Sequence, residues 1–273
     1  MGIAKVVLLF LVGTLCVSNS YAQKADLDSM IDRELPGLVE TYKAIHRSPE
    51  LSHHEQKTSA LLGEKLRALG YTVTENVGRY ENPAWHSYGV VAIMKNGSGP
   101  TVLVRTYLDA LPVEEQTGLP YASTVKETND AGQEVSVMHA CGNDIHITNL
   151  IGTATMLARM KSEWHGTLML IGQPAEEVID GAKAMLNDNL YQRFGRPDFA
   201  IALHDNSDLE AGKIAYCPGY ALASSTSVDV TIRGLRGHGS RPDATKDPIV
   251  AAAEFIMAIQ TIVSRENSPL DPA

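Results

Sequence analysis

Cysteine is scarce in this chain. Three occur in 273 residues, at Cys16, Cys141 and Cys217, which excludes a small scaffold built on disulfides. Aromatic residues make up only 6%, with four phenylalanines and two tryptophans, so any core has to be aliphatic. Positive charge is in the minority: 23 Lys and Arg against 32 Asp and Glu leave a net charge of −9, with no basic run. Such a chain is a poor partner for nucleic acid or an anionic membrane surface. Long apolar runs are missing except near the N-terminus, where Val6 to Val17 is too short to span a bilayer comfortably.

That run reads as the centre of an export leader covering residues 1–22. Lys5 supplies the positive start, and Ser20-Tyr21-Ala22 fits the small-x-small cleavage rule. The mature chain is therefore expected to begin at Gln23, exported to a periplasm or the exterior and free of the membrane. An uncleaved anchor is the alternative. Cys16 would leave with the leader. Cys141 and Cys217 could then form one disulfide, but the surroundings of Cys141 favour a metal ligand, with Cys217 a small buried residue.

What is present is a 44% apolar chain, long enough to bury a core in one or two domains. The densest chemistry lies in Met138-His139-Ala140-Cys141-Gly142-Asn143-Asp144-Ile145-His146. Ile147, Leu150, Ile151, Ala154, Leu157 and Ala158 follow at helical spacing, so this polar cluster sits where a loop enters a helix. Helices are also expected at residues 25–45, with Pro36 inside, at 55–69, closed by Gly70, and at 178–191. Strands are expected at residues 71–77, 88–94, 101–105, 168–171 and 199–203. The alternation predicts an α/β/α sandwich on a mixed, largely parallel sheet, whose ligands sit beyond the strands' carboxyl ends. Asp109, Glu176-Glu177 and His204 each follow such a strand.

Near residue 223 the pattern changes. Val228, Val230 and Ile232 alternate with polar residues, as in an antiparallel strand with one wet face. A glycine-rich corner, Arg233 to Ser240, leads to Asp247-Pro248, an N-cap followed by an N1 proline. Ile249, Ala252, Ile256, Ile259 and Val263 mark the next helix. Residues 23–222 are thus expected to form one domain and 223–273 the start of a second, incomplete α+β domain.

Thiolate, carboxylate and imidazole suit zinc, with manganese or cobalt as second choices. Cys141, Glu177 and His204 could hold such an ion, which acidifies water and polarises carbonyls. Glu176 could take the proton, and Asp109 could orient a ligand from behind. Each residue also has an ordinary reading: Cys141 as a buried thiol, Glu176-Glu177 as charge at a helix start, His204 as a loop histidine. His53 and His54 read as solvated on a polar helix face. His139 and His146 could line the pocket or fill space, and His46, His86 and His165 have no evident partners.

Taken together, the motifs resemble the amidohydrolase branch of the aminoacylase and carboxypeptidase-G superfamily of metallopeptidases, which includes hippurate hydrolases and indoleacetyl-amino-acid hydrolases. The matching stretches are His46 to Ser52, Leu108 to Pro112 with Thr117 to Tyr121, Met138 to Gly142, Gly172 to Glu177, and Arg233 to Pro248 around Gly237-His238-Gly239. They run in family order over nearly all of residues 30–273. The resemblance implies a zinc-peptidase-like domain interrupted by a lid that forms a homodimer. It also implies a site for up to two metals that hydrolyses the amide of an N-acyl amino acid or small peptide. Cys141, Glu177 and His204 match ligand positions, and Glu176 matches the general base. His238 matches a lid histidine that stabilises the oxyanion in the neighbouring subunit's site. Asp109, Asp144 and His146 would lie behind the ligands.

Three departures stand out. Asn143 replaces a metal-bridging histidine, and an amide is a poor zinc ligand. Tyr107 stands where relatives carry a carboxylate. The family's last metal histidine falls beyond residue 273. These motivate a second expectation, an impaired enzyme or an acyl-amino-acid-binding protein.

Overall fold

The structure, a computed structural model, describes residues 26–219, 226 and 228–268. The expected leader and its cleavage point lie outside them, as does the expected domain boundary at 222/223. The described residues form two compact units, divided between Asn206 and Ser207.

The first unit is a five-stranded sheet between two helical layers. Helix α1 covers residues 26–47 without a break at Pro36. Helix α2 (Gln56–Ala68) follows, then β1 (Thr72–Val77), β2 (Gly89–Asn96) and β3 (Thr101–Tyr107). A short hairpin, β4 (Lys126–Thr128) and β5 (Glu134–Ser136), precedes α3 (Asn143–Arg159). Strand β6 (Gly166–Gln173), helices α4 (Gly181–Asn187) and α5 (Leu190–Phe194), and β7 (Phe199–Ala202) complete it. The sheet order is β1-β2-β6-β3-β7. Strands β6, β3 and β7 are parallel, and β2 and β1 add antiparallel edges. The mixed α/β/α expectation holds.

Period-two alternation sorts the sheet's side chains between its faces. Val90, Ala92, Met94, Leu168 and Leu170 pack with Leu62, Leu66, Ile147, Leu150 and Ile151 of α2 and α3. Val91, Leu103, Met169 and Ile171 pack with Met185 and Leu190 of α4 and α5 on the other face. Few of these residues are aromatic, so the layers are held by close aliphatic packing, at roughly 25 cal/mol per Å² of apolar surface removed from water.

Helix α2 has no cap from its own N-cap residue, Glu55. The Glu50 carboxylate does that work, accepting from Lys57 N, Thr58 N and Thr58 Oγ1 at 3.1, 2.7 and 2.8 Å. Its carbonyl accepts from Ala110 N at 2.8 Å. The Pro49-Glu50-Leu51-Ser52 motif thus ties α2 to the end of β3.

Several expectations need correction. The single helix expected over 178–191 is two short ones, broken at Asn189, whose backbone is left-handed (φ 58°). His53 is not solvated on a helix: it is buried before α2, stacked on Trp85 with ring centroids 4.0 Å apart. His46 has two carboxylate partners, described below.

In the second unit, α6 (Pro248–Thr261) starts as expected: the Asp247 side chain accepts from Ile249 N at 2.8 Å. Apolar residues cover more than one face of it, and Pro248–Glu266 is long and apolar enough to cross a membrane by length and composition alone. The strand expected at 228–232 is not formed among the described residues. A strand exists by pairing, and among the described residues of this unit the one bridge joins Leu235 to Lys246. Cys217, expected buried, is exposed.

Candidate active site

Strands β3 and β6 end level, Tyr107 opposite Gln173, and β7 ends two residues earlier, Ala202 opposite Arg105. Their following loops carry Asp109, Glu176-Glu177 and His204-Asp205 to one edge. The N-terminus of α3 meets them there with Cys141. Gly142 has φ 79°, and a Cβ on it would fall on the Asp205 carboxylate, so only glycine allows the loop to close this tightly.

Asp109 is fully buried, and it accepts from Glu176 N (3.0 Å), Glu177 N (2.9 Å) and Ser52 Oγ (2.7 Å). It therefore holds the backbone of the glutamate pair. Ala175, just before the pair, is left-handed at φ 43°, a conformation that costs about 1–3 kcal/mol for a residue other than glycine.

Cys141 is a free thiol, with Sγ 3.5 Å from His204 Nε2. His204 Nδ1 lies 2.7 Å from the Asp205 carbonyl, which accepts only a proton from it. The proton therefore sits on Nδ1, and the Nε2 lone pair faces Cys141. That is the tautomer in which a metal-binding histidine is held from behind.

Asn143 is fixed in orientation by its neighbours. The Asp109 carbonyl can only accept, so Asn143 turns Nδ2 toward it and Oδ1 toward His146 Nδ1, which donates at 3.1 Å; His146 Nε2 lies 3.0 Å from both Asp205 N and Asp205 Oδ1. The Asn143 amide nitrogen then donates to the Asp109 carbonyl (2.9 Å) and to Glu177 Oε1 (3.1 Å). The amide hydrogens point at a carboxylate where an imidazole would offer a lone pair.

The pocket carries excess negative potential. Burial and then the Asp109 and Glu176 carboxylates push the Glu177 carboxyl up to about 7. Burial, followed by Glu177 and Glu176, pushes the Cys141 thiol up to about 11. Burial and Asp109 also raise Glu176, with His204 and Arg105 pulling the other way. A bound cation would relieve all three.

By donor chemistry Cys141, Glu177 and His204 suit one ion, although their ligand atoms do not all lie within 4.8 Å of one another. The site does not fit a second ion that takes a ligand at position 143, because an N–H group occupies that direction. His146, His204 and Asp205 also gather, their donor atoms all within 4.8 Å of one another. Asp205 did not stand out in the sequence. Its adjacency to His204 was the available signal.

The remaining expected residues divide. His146 borders the site, its ring centroid 4.5 Å from that of His204. Asp144 turns away, and its Oδ2 lies 2.6 Å from His46 Nδ1. Tyr107, at the position where the resemblance implies a carboxylate in relatives, is buried, and its hydroxyl accepts from Arg105 Nη2 at 2.8 Å. His139 is buried with neither ring nitrogen partnered, and burial pushes it down to about 3, so it is neutral. His238 lies in the second unit, exposed. Ser240 N donates to its Nδ1 at 3.2 Å, leaving the proton on Nε2.

One edge of the parallel sheet thus carries a thiol, an imidazole and two adjacent glutamates. The profile of Peptidase family M20/M25/M40 matches residues 103–270, and the chain belongs to that family. A hippurate hydrolase of Campylobacter jejuni is 39% identical over 230 residues, 84% of this chain and 55% of the relative. A solved Staphylococcus aureus structure, described as an aminohydrolase, shares 32% identity with a TM-score of 0.69, over 90% of this chain and 61% of that one. A Bacillus subtilis structure, described as a dinuclear metal-binding peptidase from the M20 family, shares 32% identity with a TM-score of 0.53, over 64% of this chain and 44% of that one. The chain spans about half the length of the curated relatives it matches.

Proposed function

We propose that the protein is a metal-dependent amidohydrolase that cleaves N-acyl amino acids or small peptides. The observation that carries this reading is Cys141 Sγ lying 3.5 Å from His204 Nε2 at the sheet edge to which Asp109 holds the Glu176-Glu177 pair. Cys141, Glu177 and His204 would hold the ion, zinc by the softness of the donor set. When bound, such an ion supplies Lewis acidity toward the scissile carbonyl and a lowered pKa for water.

Glu176 accepts the proton of the attacking water and returns it to the leaving amine. Its raised pKa suits a base that must also act as an acid near neutrality. Asp109 keeps the Glu176-Glu177 turn from shifting as charge moves. In a dimer formed through the lid, His238 would donate from Nε2 to the developing oxyanion of the neighbouring site. Hippurate, an N-acyl glycine, is the substrate in the name of the Campylobacter jejuni relative, which supports that substrate class. The leader pattern around Lys5 and Val6–Val17 supports export.

The test is hydrolysis of hippurate and N-acetyl amino acids by zinc-loaded protein. Free amino acid is expected, and Glu176→Gln should lower kcat by about 10²–10⁴-fold while zinc content stays unchanged. Zinc-loaded protein that releases no amino acid would contradict the proposal. A second reading, a binding protein without turnover, is favoured by Asn143. It predicts saturable binding of the same compounds with no product.

A further inference from the structure

Glu55 is fully buried, at 0% exposed, and the reaction proposed above makes no use of it. Its Oε1 accepts two backbone hydrogen bonds, from His53 N at 3.0 Å and from Ala175 N at 2.7 Å. Its Oε2 has no partner, so the side chain's polar contacts all pass through one oxygen. Both donors belong to non-glycine residues with left-handed backbone, φ 68° at His53 and 43° at Ala175. Such conformations persist only where the surroundings over-determine them.

Ala175 is also fully buried, so water cannot replace the acceptor for its N–H. The next two amides of the chain, Glu176 N and Glu177 N, go to the two oxygens of Asp109. Three successive N–H groups thus end on two buried carboxylates that come from different elements. Asp109 orients the pair, and Glu55 fixes the left-handed residue from which the pair departs.

We propose that Glu55 is a positioning residue: its Oε1 locks the left-handed turn at Ala175 and thereby places the Glu176 and Glu177 carboxylates for hydrolysis. The kinetic part rests on the proposed reaction, and the structural part does not. What matters is an acceptor oxygen at the right reach. Burial and then the Asp109 charge push the Glu55 carboxyl up to about 8, so a neutral amide of equal length is a fair mimic of it near neutrality.

The experiment compares Glu55→Gln with Glu55→Asp in the full chain. Gln keeps the acceptor and loses the charge, whereas Asp keeps the charge and falls one methylene short. Amide hydrogen exchange over residues 174–181 is measured without added metal, beside hippurate hydrolysis with zinc. The Gln variant should match the unaltered chain in both readouts. The Asp variant should lose protection at Ala175–Glu177 while β3 and β6 keep theirs, and kcat should fall about 100-fold with little change in KM. Protection retained by Asp, or lost by Gln, overturns the proposal. Should the Asp variant fail to fold, the Gln variant decides alone on the same criterion. If the unaltered chain hydrolyses nothing, the proposed reaction falls, and the exchange comparison still judges Glu55.

Discussion

Asn143 donates its amide hydrogens to Glu177, Nδ2 lying 3.1 Å from Oε1. A neutral donor therefore rests against a carboxylate that the site would use to hold a cation. The orientation is set from both sides, by the Asp109 carbonyl and by His146 Nδ1, so the amide cannot simply turn over.

From this we expect a single high-affinity ion per chain. Asn143→His would place a lone pair where an N–H now points, and equilibrium dialysis against zinc should then rise from one ion toward two. Two tightly held ions in the unaltered chain would refute this, as would an unchanged single ion in the variant.

Asp109 makes three acceptor contacts with two oxygens. In Asp109→Asn one oxygen becomes a donor that faces a backbone N–H of the glutamate pair or Ser52 Oγ. Leaving such a buried group unsatisfied costs about 1–3 kcal/mol. Denaturant unfolding should report that loss, and hydrolysis should fall further than stability alone explains. A variant with ordinary stability and activity would show that the turn does not depend on Asp109.

His46 ties two parts of the first unit together, with Nδ1 2.6 Å from Asp144 and Nε2 3.0 Å from Glu115. Burial works to lower its pKa, but the hydrogen bonds its ring makes to Glu115 and Asp144 outweigh it and leave the pKa raised. A histidine raised on folding contributes stability that is complete below its unfolded pKa of about 6.5 and is lost as pH climbs through the folded value. Glu115 in turn anchors Ser123 N and Thr117 Oγ1, so the Thr117–Tyr121 stretch hangs on this ring. Removing the imidazole with His46→Ala should cost about 3–5 kcal/mol at pH 6 and less at pH 9. A cost independent of pH would mean that the ring is neutral in the fold.

Much of the architecture was legible because β2, β3, β6, α2 and α3 bury whole faces, and burial writes periodicity into sequence. Asp109, Glu176-Glu177 and His204 could be placed at one edge because each follows such a strand. The failures share a different cause. The hairpin β4–β5 is three residues a side, too short to show a period. Val228–Ile232 has the right alternation, but pairing depends on a neighbour. His46, Asp144 and Glu115 are brought together from distant segments, and no local pattern announces a long-range ion pair. Glu55 is merely the first residue of the helix expected at 55–69, and only the fold reveals that it faces inward to Ala175.

The account depends most on the thiol of Cys141 sharing a metal with Glu177 and His204. Cobalt(II) tests this directly, because a thiolate ligand gives it a sulfur-to-metal charge-transfer absorption that oxygen and nitrogen ligands do not. Titration of the unaltered chain should develop that band and saturate at one cobalt per chain, and Cys141→Ser should abolish it. Cobalt bound without the band, or a band that survives Cys141→Ser, would contradict the account.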